Sequence, residues 1–182
     1  MTDLDLVVLL DDSGNEIGTA PKSSVHGSDT ALHLAFSCHV LNARGEVLVT
    51  RRALAKKTWP GVWTNSFCGH PRPAEPVATA VHRHAGHELG LSIHGLELAL
   101  PLFRYRAVDA EGIVENEICP VYIAYADAEP EPNKAEVMDS RWVDPAELAS
   151  ALSATPWAFS PWLVLQAEQL HLFDAPRLRH AS

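Results

Sequence analysis

The sequence predicts an α+β fold, an α/β sandwich in which a mixed sheet is flanked by helices. Three observations carry this. From Leu32 to Leu41 the chain alternates: Leu32, Leu34, Phe36, Cys38 and Val40 share one face, and His33, Ala35, Ser37 and His39 the other, which is a strand pattern. From Pro76 to Leu89 the apolar residues Val77, Val81, Ala85 and Leu89 recur at helical spacing. Strand and helix patterns then alternate along the chain, with no internal repeat and no low-complexity segment.

Taken in order, Leu4 to Leu10 reads as a first strand, followed by a turn at DDSGN. The alternating strand 32–41 turns at NARG, residues 42–45, and Glu46 to Arg51 continues as its partner. Residues 52–73 read as a long loop holding Trp59 and Trp63, and a loop of that length inside a domain usually serves function. Gly90 closes the helix that ends at Leu89, because glycine accepts the left-handed conformation of a helix cap. Leu98 to Val108 and Ile113 to Ala126 form a hairpin around DAEG. A Pro- and Glu-rich link, Glu129 to Asn133, precedes a strand from Val137 to Val143. Asp144, Pro145 and Glu147 start a short helix, and Ser160 with Pro161 start the last one in the same manner.

At 182 residues, 47% of them hydrophobic and five of them tryptophan, the chain suits one packed domain, residues 1–182, and not a disordered one. The start, MTDLDLVVLLDDSG, lacks the basic and long apolar regions of a secretory signal, and no apolar run is long enough to span a bilayer. Cys38, Cys68 and Cys119 are odd in number and do not form Cys-x-x-Cys pairs, which argues against a disulfide framework or a structural zinc knot. A cytoplasmic protein is expected, with no membrane partner. The formal net charge of −9 opposes nucleic-acid binding. One segment runs against that charge: TRRALAKK, residues 50–57, carries Arg51, Arg52, Lys56 and Lys57. It reads either as a solvated charge run or as a cationic mouth for an anionic ligand.

Chemistry concentrates in two places. SFCGHP, residues 66–71, sets Cys68 two residues before His70. VENEICPV sets Glu115 and Glu117 on one strand face, about 7 Å apart by the pleat spacing. Two like charges at that distance suit either a solvated face or a bridging cation. His26, His33 and His70 with the two glutamates make a ligand set that suits zinc, manganese or iron, although spacing alone does not bring the five together.

The helix segment GHPRPAEPVATAVHRHAGHELGL resembles the Nudix box, with Gly69, Glu75, Arg83, Glu88, Gly90 and Leu91 in register. Two acidic positions of that box are His84 and His87 here, which leaves Glu88 as the carboxylate of the helix core and depletes a hydrolytic magnesium site. Three further segments, HLAFSCHVLNARGEVLVTRRALAKKTWPGVWTNSFCGHP, FRYRAVDAEGIVENEICPV and ATPWAFSPW, resemble type I isopentenyl diphosphate isomerases, enzymes of Nudix fold, over residues 5–170. The C-terminal LHLFDAPRLRHAS carries no motif.

That resemblance implies interconversion of isopentenyl and dimethylallyl diphosphate, in isoprenoid biosynthesis, through a tertiary carbocation. It implies Cys68 and Glu117 as the proton-handling pair, Tyr105 as a hydroxyl relay beside the glutamate, and Trp162 as the aromatic partner of the cation. A divalent metal, Mn2+ or Zn2+, is implied at His26, His33, His70, Glu115 and Glu117. Mg2+ is implied to arrive with the diphosphate, met by Glu88 and the Cys68 backbone carbonyl. Lys22, Arg52, Lys56 and Arg83 become the anion clamp. The expected partner is a small allylic or homoallylic diphosphate, and the expected state a monomer or weak homodimer. His84, where a second clamp arginine would suit, weakens that clamp. His82 and His87 read as exposed helix residues, and Cys38 and Cys119 as core fillers. The competing readings are a Nudix diphosphate hydrolase and a silent diphosphate-binding module. A cysteine hydrolase with His70 as base competes for the same residues, and a flavin-dependent isomerase lacks its Gly-rich fingerprint.

Overall fold

Two long alternating segments bend between two sheets together, and the candidate site lies at the bend. The computed structural model describes residues 5–173. In chain order its elements are β1 (Leu6–Leu10), β2 (Glu16–Pro21), α1 (Lys22–Val25), β3 (His33–Leu34), β4 (Phe36–Leu41) and β5 (Val47–Arg52). There follow β6 (Trp63–Thr64), β7 (Phe67–Gly69), α2 (Val77–Leu89), β8 (His94–Leu100), β9 (Arg104–Val108) and β10 (Val114–Ile118). The chain continues through β11 (Val121–Tyr125), β12 (Val137–Val143), α3 (Pro145–Ala154) and α4 (Pro161–Ala167), with single 3-10 turns at Pro156–Ala158 and His171–Phe173.

One sheet runs β2-β1-β3-β10-β9 and the other β12-β5-β4-β11-β8, with β6 added to β5 and β7 to β4. β3 lies parallel to β10 in the first sheet, and β4 parallel to β11 in the second. Ala35 separates β3 from β4, and Cys119 with Pro120 separates β10 from β11. Pro120 has no N–H for a ladder, so the strand breaks there; Ala35 N donates to Ile118 O and Ser37 N to Pro120 O across the break.

The second sheet is covered on both faces. Phe36, Cys38 and Val40 join Leu48, Phe67, Val81, Ala85 and Leu89 in a core on the α2 side. Ala35, Val47, Val49 and Val121 join Leu148, Leu152, Trp162 and Leu163 on the side of α3 and α4. The two-faced pattern is therefore borne out over residues 35–41, whereas Leu32 and Leu34 pack in a separate cluster with Val8 and Leu10. The polar face is buried as well, with His33, Ser37 and His39 fully inaccessible.

Several elements differ from the sequence reading, beginning with the strand 32–41, which breaks at Ala35 into β3 and β4. The strand β2 has no counterpart in it, since EIGTAP is mostly exposed and carries no alternating apolar signal. The loop 52–73 contains β6 and β7, too short to show a period. The second hairpin is only β9–β10, for β8 instead pairs with β11 in the other sheet. The first strand, read from Leu4, begins at Leu6 among the described residues. Cys38 and Cys119 are buried in the two cores, as expected of fillers.

Gly90, at φ +64°, caps α2 while Leu91 N reaches back to Ala85 O, a Schellman arrangement. Gly69 answers a different demand. A Cβ there would lie 2.6 Å from the His84 ring, which is buried, stacked edge-on against Phe36 and bonded to Glu88. Gly69→Ala is expected to cost about 1–3 kcal/mol by overpacking, read from denaturant unfolding. An unchanged midpoint would show that the ring swings aside freely.

His39 supplies a second stability prediction. Complete burial pulls its pKa from 6.5 down to about 4, against a partly compensating hydrogen bond with Gln166. The folded state thus favours neutral imidazole, so this contribution is complete above about pH 6.5 and is lost as pH falls towards 4. Unfolding free energy is expected to drop by roughly 3 kcal/mol across that window on this account. His39→Leu should remove that part of the slope; an identical slope in the variant contradicts the assignment.

Candidate functional site

A single row across the first sheet assembles the chemistry: His33 on β3 lies opposite Glu117 on β10, which lies opposite Tyr105 on β9. Side chains in register across neighbouring strands share a face, so the imidazole, carboxylate and phenol meet without any sequence proximity. Glu115, two residues before Glu117, lies on the same face. His26 enters as the residue capping α1, and His70 follows β7 directly.

The three imidazoles pack at centroid separations of 5.1, 5.8 and 5.1 Å. One nitrogen from each of His26, His33 and His70, with a Glu117 oxygen, all fall within 4.8 Å of one another, an arrangement that could hold a metal ion. Glu117 Oε1 is 3.4 Å from His33 Nε2 and 3.2 Å from His70 Nε2. Glu115 lies just beside this quartet: its Oε2 is 2.9 Å from His26 Nε2, and its Oε1 accepts from Thr58 Oγ1 at 2.7 Å. Three of these buried atoms, His26 Nε2, His33 Nε2 and Glu115 Oε2, make no well-directed hydrogen bond within the protein. Converging buried nitrogens and oxygens left without partners are costly unless a cation satisfies them. His33 Nδ1 lies 2.9 Å from Ala31 O; donation there puts the proton on Nδ1 and frees Nε2 as a ligand. The residues present fit a divalent metal.

The cluster opens into a pocket of about 400 Å³ lined by Cys68, Tyr105, Trp162, Glu88, Glu115, Glu117, His26 and His70, with Lys22, Arg52, Lys56 and Lys57 among its basic groups. Three of the four cations of the 50–57 run, Arg52, Lys56 and Lys57, thus line the pocket, while Arg51 Nε donates to Gly61 O at 2.8 Å. Arg52 is fixed by bonds from Nε and Nη2 to Thr58 O and lies 5.3 Å from the Trp162 ring centre. Lys56 pairs with Glu136, and Lys22 with Asp5 at 3.5 Å. Trp162 packs against Tyr105 and edge-on against Trp59, whose φ of +42° is strained for a bulky side chain.

Arg83 sits differently from the other cations expected in the clamp. Its guanidinium is held by Glu75 through Nε at 2.9 Å and Nη2 at 2.7 Å, and it lines an adjoining pocket of about 320 Å³ with Lys22, Arg72, His84, His87 and Glu88. That pairing holds the Glu75 carboxyl down to about 2. His84 is not a weakened clamp residue at the surface. It is buried, and its Nδ1 lies 2.7 Å from Glu88 Oε1, so it acts on Glu88. His82 and His87 are exposed, as expected.

Cys68 stands opposite Ser37 in the β4–β7 register. Burial pushes its thiol up to about 11 against the pull of hydrogen bonds with Ser37 and Asn65, and burial likewise raises the Tyr105 phenol well above its ordinary value. Glu117 moves the other way: burial works against its ionised form, but hydrogen bonds from His33 and His70 hold it well below the usual carboxylate range. One pocket therefore presents a protonated thiol and phenol beside an ionised carboxylate, the separation of acid from base that proton-transfer chemistry needs.

The chain aligns with an isopentenyl-diphosphate Delta-isomerase of Agromyces mediolanus at 68% identity, over 91% of this chain and 81% of that protein. A second, from Clavibacter michiganensis subsp. michiganensis, is 63% identical over 92% and 86%. The NUDIX domain family pattern matches residues 31–163. The chain belongs to the isopentenyl-diphosphate Delta-isomerase family, on a Nudix domain. A Deinococcus radiodurans crystal structure superposes with TM-score 0.71 at 18% identity, over 91% of this chain and 99% of that one, which bears on the fold of this isomerase-family chain alone.

Several residues of the candidate site of this isomerase-family chain were given no role by the sequence reading. Asn65 Oδ1 accepts from Trp162 Nε1 at 3.0 Å and Cys68 Sγ at 3.2 Å, tying two candidate residues to one amide. Thr58 bridges Arg52 and Glu115. Ser37 and Gln166 lie behind the thiol. For Ser37 a signal existed: a small hydroxyl on the polar face of a strand whose other face is wholly apolar.

Proposed function

We propose that this chain interconverts isopentenyl and dimethylallyl diphosphate by protonation and deprotonation of the hydrocarbon end. One observation carries the reading: the half-buried thiol of Cys68 and the ionised carboxylate of Glu117 line one aromatic pocket whose rim is basic. The diphosphate binds at the rim, where Arg52 offers a fixed planar fork and Lys22 and Lys56 mobile charges. Arg83 acts from the adjoining pocket, and releasing part of its Glu75 pairing would add to the clamp. Glu88 and the Cys68 carbonyl would hold Mg2+, which would offset the charge of the diphosphate; a single carboxylate suits an ion that is commonly bound through one or two carboxylates together with substrate phosphate.

The hydrocarbon end then lies between Cys68 and Glu117. In the direction in which Cys68 is the acid, its S–H breaks and the alkene π pair forms the new C–H bond, leaving a tertiary cation. Glu117 removes a proton from the neighbouring carbon, and that C–H pair becomes the new double bond. In the other direction the roles exchange. Tyr105, level with Glu117, passes protons on the carboxylate side, while the Trp162 face offsets the cation's charge and Trp59 helps exclude water. His26, His33, His70, Glu115 and Glu117 would hold Mn2+ or Zn2+, which fixes Glu117 and tunes its acidity when bound. The setting is isoprenoid biosynthesis in the cytoplasm, by a monomer or weak homodimer acting on small diphosphates, not on nucleic acid or membrane.

The class is tested by following isopentenyl diphosphate and a nucleoside diphosphate side by side with metal-loaded protein and Mg2+. The reading expects isomerised hydrocarbon and no free phosphate from either compound. Phosphate release from the nucleotide without isomer formation would make this a diphosphate hydrolase.

A further inference from the structure

A buried chain of polar side chains runs from α4 to the Cys68 thiol, and the donor at each link can be assigned. Asn65 Nδ2 faces the carbonyls of Cys38 and Phe67, at 3.1 and 2.8 Å, which only accept. Its Oδ1 therefore faces Trp162 Nε1, which only donates, together with Thr64 Oγ1 at 2.9 Å and the Cys68 sulfur. The thiol hydrogen of Cys68 consequently points at Asn65 Oδ1. On the other side, Ser37 Oγ lies 3.3 Å from Cys68 Sγ, 3.4 Å from Cys119 Sγ and 2.9 Å from Gln166 Nε2.

The far end of the chain decides which way Ser37 points. His39 Nε2 is 2.9 Å from Gln166 Oε1, and its Nδ1 is buried without a partner. An orphaned lone pair is less costly than an orphaned N–H, so the proton sits on Nε2 and Gln166 Oε1 accepts it. Gln166 Nε2 is then the donor to Ser37 Oγ. With that lone pair taken, the Ser37 hydrogen is free for sulfur, and the second lone pair of its oxygen receives the Cys119 S–H.

We propose that Ser37 is a positioning residue for Cys68: its hydroxyl, held by Gln166, donates to Cys68 Sγ from behind and leaves the sulfur's remaining lone pair for the pocket, into which rotation about the Cβ–Sγ bond turns the hydrogen from Asn65 Oδ1. This rests on the reading of Cys68 as a proton-handling group. When the S–H breaks towards substrate, the electron pair stays on sulfur, and Ser37 O–H is the hydroxyl already aimed at it. The other groups around the sulfur do not replace that donor. Glu117 from β10 is anionic, Tyr105 from β9 faces the carboxylate row, Cys38 and Cys119 bring only weak thiol donors, and the Arg52 guanidinium is committed to Thr58.

The test compares Ser37→Ala with Ser37→Thr in the metal-loaded protein, reading kcat, KM and the infrared S–H stretch of Cys68, identified by its disappearance in Cys68→Ala. Ser37→Ala is expected to lower kcat about 10- to 100-fold, the size of one hydrogen bond to a developing charge, with KM within about twofold. Its S–H band should move, and Ser37→Thr, which retains the hydroxyl, should recover most of both. If Ser37→Ala does not fold, Gln166→Leu removes the group that aims the hydroxyl without altering the pocket lining. The band is expected to move there too. An unmoved band in the folded variant overturns the positioning role whatever the rate. Activity persisting in Cys68→Ala would instead overturn the proton-handling reading, and the band would still decide the contact between Ser37 and Cys68.

Discussion

Cys68→Ala lowers turnover by at least about 10³-fold, within the range that a positioned acid or base supplies, and leaves folding and diphosphate binding near those of the parent protein. The expectation follows from position. Cys68 is packed into β7 against β4, with only its pocket-facing side reaching the cavity, so losing one sulfur removes little packing. The rim residues Lys22, Arg52 and Lys56 come from other segments and keep their own partners, Asp5, Thr58 and Glu136. Turnover by NMR and diphosphate affinity by calorimetry separate the two effects. A variant that turns over normally would remove the thiol from the chemistry.

Glu117→Gln is expected to lose metal and turnover together, by more than about 100-fold in rate. Glu117 is the carboxylate shared by the His33 and His70 contacts and also faces the pocket, so on the proposed reading one oxygen set would serve both metal and substrate. An amide keeps the volume but brings a donor towards two imidazoles that need an acceptor or a cation. Metal content by elemental analysis, measured beside the rate, distinguishes the contributions. Full metal content with a lost rate would assign Glu117 to proton transfer alone, whereas normal values of both would contradict its dual role.

The strongest elements of the fold could be read from the sequence because their signals are local. The α2 stripe of Val77, Val81, Ala85 and Leu89 and the Gly90 cap lie within a few turns of one another, and the structure places them as read. The tandem bend at Ala35 and Pro120 was not legible, since it arises from two segments about eighty residues apart that must shift sheets together. Residues 113–126 accordingly read as one strand. The His33–Glu117–Tyr105 row has the same origin: each residue is visible, but register decides their meeting. Arg83 and His84 show the converse. Their motif positions were readable, yet the bidentate contact with Glu75 and the burial of His84 beneath Gly69 depend on how α2 settles on β7. Resemblance to a family supplied the grouping of His26 with His70 that spacing alone left open.

The most direct measurement of the central claim is proton and deuterium NMR of isopentenyl diphosphate incubated in heavy water with the metal-loaded protein and Mg2+. Protonation of the alkene by groups in exchange with solvent predicts a dimethylallyl isomer that carries deuterium in a methyl group, with the diphosphate intact. Isomer formed without deuterium would contradict proton exchange through Cys68 and Glu117, and phosphate released without isomer would contradict the reaction itself.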